Sequence, residues 1–135
     1  DELLQIILVG QPQLLDLLRD PALAQVVQRV AADFHIEALG PEDTSRYIRH
    51  RLEVAGAHWE IFPERTCELV HEATGGIPRL INSLCDFCLV YGFSDDRRTI
   101  TEEVLRDFLS GIERHGIFAK FKPLGRSPQL VRQTR

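Results

Sequence analysis

Methionine and long apolar stretches are both missing from this chain. None of its 135 residues is methionine, residue 1 included, which predicts a segment of a longer protein. No apolar run approaches the roughly eighteen residues that a membrane-spanning helix needs, and the opening residues lack a signal-peptide pattern. The three cysteines do not form a secreted disulfide framework. We therefore expect a globular protein of a reducing cytoplasm.

Patterns for metal binding and hydrolysis are also weak. Cys85 and Cys88 are spaced as a C-x-x-C pair, but both fall on the apolar stripe of a predicted helix, where cysteine acts as a small hydrophobe. A zinc site would need two more ligands, and Cys67 and His71 are the conceivable ones. A C-x-x-C pair in mid-helix is not a zinc-knuckle geometry, so we predict no metal site. The five histidines are scattered away from any obvious nucleophile, which argues against a serine or cysteine hydrolase.

Charge divides the chain into an acidic body and a basic end. Residues 1–114 contain all 20 acidic residues against 11 lysines and arginines, a net charge of −9, whereas residues 115–135 carry +5. A basic end can contact anionic lipid or nucleic acid. Pro123, Gly125 and Pro128 oppose a continuous amphipathic helix there, which favours a solvated linker or tail.

The first forty residues are typical of the end of an α/β domain. Leu3–Val9 is almost wholly apolar and is bounded by Gly10 and Pro12, which predicts a strand of a parallel sheet covered on both faces. Its partner strands would lie upstream of the chain. The pattern then predicts three elements: a helix from Pro12 to about Arg19, a helix from Pro21 to about Ala32, and a possible short second strand at 34–36.

After Gly40 the pattern changes to helices separated by short connections. Such an arrangement is typical of a compact antiparallel bundle. We therefore predict a mainly α fold, in which residues 1–40 end a parallel α/β core with one or two strands, residues 41–114 form a four-helix domain, and residues 115–135 form a basic linker or tail. The four predicted helices run from Pro41 to about Ala55, from Pro63 to about Ala73, from near Ile77-Pro78 to about Phe93, and from just after Thr101 to about residue 114.

Arg79 stands out on the third of these helices. It follows Gly75-Gly76-Ile77-Pro78 and lies about 160° from the apolar stripe that contains Ile77, Ile81 and Leu84, at 100° per residue. Helix geometry therefore points Arg79 away from the bundle core near the helix N-terminus. Taken without its context, this residue would be an ordinary surface arginine.

Three segments occur in an order that resembles the latter half of AAA+ ATPases. They are LLQIILVGQPQL (3–14), VVQRVAADFHIEALGPEDTSRYIRHRLEVAGA (26–57) and EATGGIPRLINSLCD (72–86). The resemblance is to the group that contains general secretion pathway protein A and the ATPases accompanying exosortase (PEP-CTERM) systems, and it covers about residues 3–112. The four-helix domain would then be the helical lid of such an ATPase.

The resemblance implies roles for three residues. Arg79 would be the sensor-2 arginine that reaches from the lid to the ATP phosphates, a role that suits the fixed charge of guanidinium. Arg29 would be the catalytic arginine finger that completes the active site of a neighbouring subunit. Gln11 would occupy the sensor-1 position and help to orient the attacking water. On residue pattern alone, Arg29 could equally be a solvated helix residue, and Gln11 a capping residue.

One departure from the family pattern limits these roles. The G-x-x-x-x-G-K-[ST] loop that cradles phosphates is absent, and so is the acidic strand end that holds Mg²⁺. We therefore expect ATP and Mg²⁺ to bind the full-length protein and this chain alone to be inactive.

The resemblance also suggests where the full-length protein works and with which partners. Those partners would be neighbouring subunits of a homo-oligomer and proteins of secretion, exopolysaccharide export or envelope assembly, at the cytoplasmic side of a bacterial inner membrane. Two alternatives remain: a DNA-binding AAA+ helper of transposition or replication, and a non-catalytic helical interaction module. DNA binding would use the basic tail or the cluster Arg46, Arg49, His50 and Arg51. The acidic body argues against it.

Overall fold

The computed structural model describes residues 4–115 and 121–125, and the chain divides into two compact units after Ile36. The described residues are mainly helical and contain no strand. This confirms the mainly α fold class. No helix in these two ranges is long and apolar enough to cross a membrane.

The first unit contains two short α-helices, α1 (Gln13–Leu18) and α2 (Ala24–Val27). Asp20 separates them and accepts a hydrogen bond from the Ala22 N–H at 2.9 Å, at the start of a 3-10 helix over Pro21–Leu23. The prediction of one helix from Pro21 to Ala32 is therefore too long. No residue in the range 21–32 is buried, and a short helix persists only when it buries an apolar face.

The two predicted strands do not appear among the described residues of the first unit. Residues 4–9 and 34–36 have no regular secondary structure, and Ile7 and Val9 are 85% and 89% exposed. A strand exists only through hydrogen bonds to a neighbouring strand, and the described residues supply none. Residues 4–9 are almost wholly apolar, as the strand prediction required, but no described element of the chain packs over them.

The described residues of the second unit form a bundle of four helices, whose beginnings and ends follow from local chemistry. Pro41 and Pro78 occupy the first helical position, where proline loses no hydrogen bond. Gly75 ends the second helix in the left-handed conformation. The structure confirms the four predicted helices, and each helix end lies within two residues of its predicted position. The helices are α3 (Pro41–Val54), α4 (Glu64–Thr74), α5 (Pro78–Ser94) and α6 (Glu102–His115).

The core of the bundle surrounds α4, which contacts each of the other three helices. Full burial of one such aliphatic side chain contributes roughly 1.5–3 kcal/mol, so these few residues dominate the stability of the unit. The most completely buried apolar residues are Phe62, Cys67, Leu69, Val70, Ala73, Ile81, Leu84, Cys88, Ile100 and Leu105. Ile77, which the sequence pattern placed on this stripe, is instead 47% exposed because it precedes the helix as its N-cap.

Three buried hydroxyls fix the contacts of α4 with its neighbours. The Ser45 hydroxyl donates to Glu64 Oε1 at 2.8 Å, and the Thr66 hydroxyl donates to the Ile100 carbonyl at 2.9 Å. Thr44 Oγ1 lies 3.1 Å from His71 Nδ1. Buried polar groups without partners are costly, and these pairings hold α3, α4 and the start of α6 in one register.

Candidate functional site

The turn between α4 and α5 is the best-defined feature around Arg79. Gly75 has φ +61° and its N–H donates to the His71 carbonyl at 2.7 Å, which closes α4. The next residue, Gly76, has φ +73°. Two consecutive residues with positive φ reverse the chain sharply, and glycine adopts this conformation at little steric cost.

Gly76 is buried against the backbone that leads into α3. The Leu39 N–H donates to the Gly76 carbonyl at 2.9 Å. A Cβ atom on Gly76 would lie 1.9 Å from the Leu39 carbonyl oxygen, far inside van der Waals contact. The turn before Arg79 is therefore packed against the backbone that leads into α3, and this contact fixes where the turn lies in the bundle.

Arg79 lies in the first turn of α5, directly after this fixed turn. Ile77 is extended, and its carbonyl accepts from the N–H groups of Leu80 and Ile81, both at 2.9 Å. Arg79 is exposed, and within residues 4–115 and 121–125 its guanidinium has no hydrogen bond or ion pair. The opposite face of the helix carries Ile81, which is 1% exposed. The exposure agrees with the helix geometry; the nucleotide role of Arg79 stays a prediction.

Lys122 brings a second cation to the same turn. Its backbone N–H donates to the Ala73 carbonyl at 2.8 Å, near the C-terminal end of α4. Its Nζ lies 3.3 Å from the position that a Gly75 Cβ would occupy. Partly buried Phe121 and Leu124 pack against the core on either side of Lys122. Sequence reasoning missed this placement, because nothing in the local pattern links residue 122 to the turn.

The electrostatics of the turn favour an anion. The N-terminus of a helix carries partial positive charge from its unsatisfied N–H groups, and α5 has 17 residues. The Arg79 guanidinium adds a permanent positive charge with donors in a fixed fork, which suits phosphate oxygens. The Gly75–Arg79 segment has no carboxylate to oppose this charge.

Gln11 and Arg29 lie in the first unit, outside its short helices: Gln11 precedes α1 and Arg29 follows α2. The Gln11 carbonyl accepts from the Leu14 N–H at 2.8 Å as α1 begins, and its side chain is exposed. Arg29 follows α2, where its N–H donates to the Val26 carbonyl at 3.0 Å, and it is also exposed. Among the described residues, no hydrogen bond or ion pair joins these two side chains or engages either of them. Their proposed roles stay predictions.

The three cysteines are free thiols inside the bundle. Burial raises the pKa of the Cys67 and Cys85 thiols, and it raises the pKa of Cys88 to about 12. His71, the fourth ligand considered for zinc, lies against Thr44 instead. Within the described ranges, no group of three histidine, cysteine or acidic side chains is arranged to hold a metal ion.

The basic cluster on α3 is largely occupied by partners within the bundle. Arg46 bonds Asp43 at 2.5 Å, and Arg49 bonds Glu64. Arg51 donates to the Tyr47 hydroxyl at 3.3 Å. These arginines are exposed. Carboxylates compensate the charges of Arg46 and Arg49, and the Arg51 side chain lies along α3 toward Tyr47.

Comparison with known proteins gives one clear similarity. No protein-family model and no solved structure matches the chain. Over 93 residues the chain is 44% identical to a protein from Aeromonas hydrophila named general secretion pathway protein A. The match covers 69% of this chain and only 17% of that relative's length. The similarity supports a relationship between this chain and general secretion pathway protein A over the matched segment.

Proposed function

We propose that this chain is the sensor and lid region of a longer, oligomeric AAA+ ATPase. The observation that carries the proposal is Arg79: an exposed guanidinium without a partner among the described residues, set at a helix N-terminus by a rigid glycine turn. Arg97 is also exposed without an ion pair in the described residues, so what distinguishes Arg79 is its position in the first turn of a long helix, directly after the glycine turn. An arginine held in place and left open suits a ligand that arrives from outside the bundle.

In this proposal Arg79 contacts the ATP phosphates. Its fixed positive charge and fork of donors fit phosphate oxygens. Because the guanidinium belongs to the lid, phosphate contact would bias the lid toward one orientation, as in hinge-type switches. Mg²⁺ would take its ligands elsewhere in the longer protein, since the Gly75–Arg79 segment offers no carboxylate.

Arg29 and Gln11 take the remaining roles that the family resemblance implies. Arg29 would act as the arginine finger toward a neighbouring subunit and stabilise the charge that develops on the transferred phosphoryl group. Gln11 would orient the attacking water. Both side chains are exposed and lack partners within the described residues, so both are free to reach a ligand.

The setting we propose follows the name of the relative. The printed name places that relative in the general secretion pathway. For this chain we propose that ATP turnover in the longer protein drives assembly in secretion, or in exopolysaccharide export, which the family resemblance also implies. Neighbouring subunits and envelope assembly proteins would be the partners, on the cytoplasmic side of the inner membrane.

ATP turnover by the longer protein that carries the phosphate-binding loop tests the proposal. Arg79→Ala and Arg29→Ala should each lower turnover at least tenfold, because each removes a cation from the phosphates. The matched control is Arg97→Ala, at an exposed arginine just beyond α5 that has no ion pair in the described part of the chain. Unchanged turnover in both test variants would remove the site assignment.

Mixing two inactive proteins tests the role of Arg29 across subunits. A subunit with Arg29→Ala keeps its own phosphate-binding loop, and a subunit with a disabled loop keeps Arg29. If Arg29 acts on its neighbour, the mixture should recover turnover that neither protein has alone. No recovery over a range of mixing ratios would contradict action of Arg29 on a neighbouring subunit.

Two alternatives receive less support from the described contacts. A DNA-binding helper would need a coherent basic face, yet Arg46, Arg49 and Arg51 each have a partner on the bundle. A gel-shift titration at low salt separates this alternative, with no shift expected. A purely structural interaction module would show no protection of Gly75–Arg79 from hydrogen exchange when ATP is added.

A further inference from the structure

A groove lies on the bundle surface between the second half of α3 and the segment 57–62. Its volume is about 370 Å³, and its apolar lining includes Leu52, Ile61 and Phe62. Phe62 is 1% exposed, so this part of the lining is continuous with the core. The proposed ATPase function uses none of these residues.

Trp59 lines the groove and is held in place. It is 58% exposed, although its indole N–H donates to the Arg98 carbonyl at 3.2 Å. Two further bonds join the same pair of segments, from the Ile100 N–H to the Ile61 carbonyl at 2.8 Å and from the Thr99 hydroxyl to the Glu60 carbonyl at 3.4 Å. Because the polar edge of the exposed indole is already bonded, its aromatic surface is held in place before a ligand binds. Little side-chain conformational entropy would then be lost on binding.

The uncompensated charge of the groove is negative. Glu53 and Glu60 line it, and neither carboxylate has a hydrogen bond or ion pair among the described residues. The one lining arginine, Arg49, is already bonded to Glu64. His58 adds an imidazole, and the exposed Arg98 side chain is not part of the lining.

We propose that this groove binds an arginine side chain presented by a partner protein. The apolar lining suits the aliphatic stem, and the Trp59 face suits a planar cation at its end. Glu53 and Glu60 supply carboxylates that can pair with guanidinium donors. Phosphate-bearing partners such as nucleic acid or anionic lipid are disfavoured, because the same carboxylates repel them. The inference is independent of the nucleotide role of Arg79, since the groove uses no residue of the α4–α5 turn.

The chain contains a built-in probe for this site, because Trp59 is its only tryptophan. The experiment titrates the full 135-residue chain with a blocked serine–glycine peptide containing one arginine and follows tryptophan emission. The matched ligand has citrulline in place of arginine, which preserves shape and removes the charge. We expect a saturable emission change with the arginine peptide and at least tenfold weaker binding of the citrulline peptide. Added salt should weaken the arginine complex.

Variants decide whether the groove is responsible. The double variant Glu53→Gln with Glu60→Gln should bind the arginine peptide about tenfold more weakly, while Glu103→Gln, an exposed acid on α6, should bind it normally. Urea unfolding of each variant checks that the bundle remains folded. Three results would overturn the proposal: no saturation up to about 10 mM peptide, equal binding of the citrulline peptide, or unchanged binding by the folded double variant.

Discussion

Leu39 and Gly76 meet backbone to backbone, and this contact joins the entry to α3 with the turn that precedes Arg79. The Leu39 N–H donates to the Gly76 carbonyl at 2.9 Å, and there is no room for a side chain at Gly76. The position of Arg79 thus depends on a part of the chain far from it in sequence. A guanidinium that contacts phosphate from a lid needs a backbone whose position is fixed in this way.

Gly76→Ala should therefore destabilise the bundle strongly. The new methyl group would collide with the Leu39 carbonyl, and alanine would be strained at φ +73°. We expect a loss of about 3 kcal/mol or more in the free energy of unfolding, measured by urea denaturation.

Gly111→Ala is the matched control for this prediction. Gly111 lies within α6, and a Cβ atom there would meet no atom within 4 Å. Alanine is the better helix former, so this variant should gain about 0.5–1 kcal/mol. Equal stability of the two variants would show that the contact with Leu39 does not constrain the turn.

The contacts of Ser45 and Arg49 on α3 with Glu64 should make the free energy of unfolding depend on pH. The hydrogen bond from Ser45, and after it the Arg49 guanidinium, lower the pKa of the Glu64 carboxyl in the folded chain. A carboxyl with a lowered folded pKa stabilises the fold above its unfolded pKa of about 4.3, and that contribution is lost as the pH falls through the folded pKa. Glu64→Gln should thus be less stable than the wild type at pH 7, and the difference should shrink as the pH falls below about 4.3.

Urea unfolding at several pH values checks this dependence. Glu103→Gln serves as the control, because that exposed acid has no partner in the described ranges, and its difference from the wild type should stay near zero throughout. A Glu64→Gln difference that is the same at pH 7 and pH 3 would mean that the charged form of Glu64 does not stabilise the bundle.

The buried thiols should be chemically silent while the bundle is folded. Burial raises the pKa of all three cysteines, to about 12 for Cys88, and the thiolate is the reactive form. We expect slow labelling by an aromatic disulfide reagent at pH 8 and rapid labelling of three thiols in urea. Rapid labelling of Cys67 or Cys88 under native conditions would contradict their placement in the core.

The sequence predicted the bundle well because its helices have strong local signals. Pro41, Pro78 and the glycines after α4 mark helix boundaries, and apolar residues at helical spacing on α4 and α6, such as Leu69 and Leu105, are buried in the core. The predicted strand at Leu3–Val9 had an equally strong apolar signal. It does not appear as a strand, since pairing is non-local and no partner strand lies in the described residues.

The candidate site was only partly predictable. Helix geometry alone placed Arg79 on the exposed face, and the structure agrees. Lys122 reaches the turn through the packing of Phe121 and Leu124, which no local pattern encodes. Likewise, no local pattern encodes the bond from the exposed Trp59 indole N–H to the distant Arg98 carbonyl.

The most direct test of the central claim is the affinity of the longer, loop-containing protein for a non-hydrolysable ATP analogue. Calorimetry would compare the wild type with Arg79→Ala and with the Arg97→Ala control. The account predicts a Kd about tenfold higher for Arg79→Ala, equivalent to about 1.4 kcal/mol, and a Kd within twofold of wild type for Arg97→Ala. Equal affinity in all three proteins would contradict a phosphate contact by Arg79.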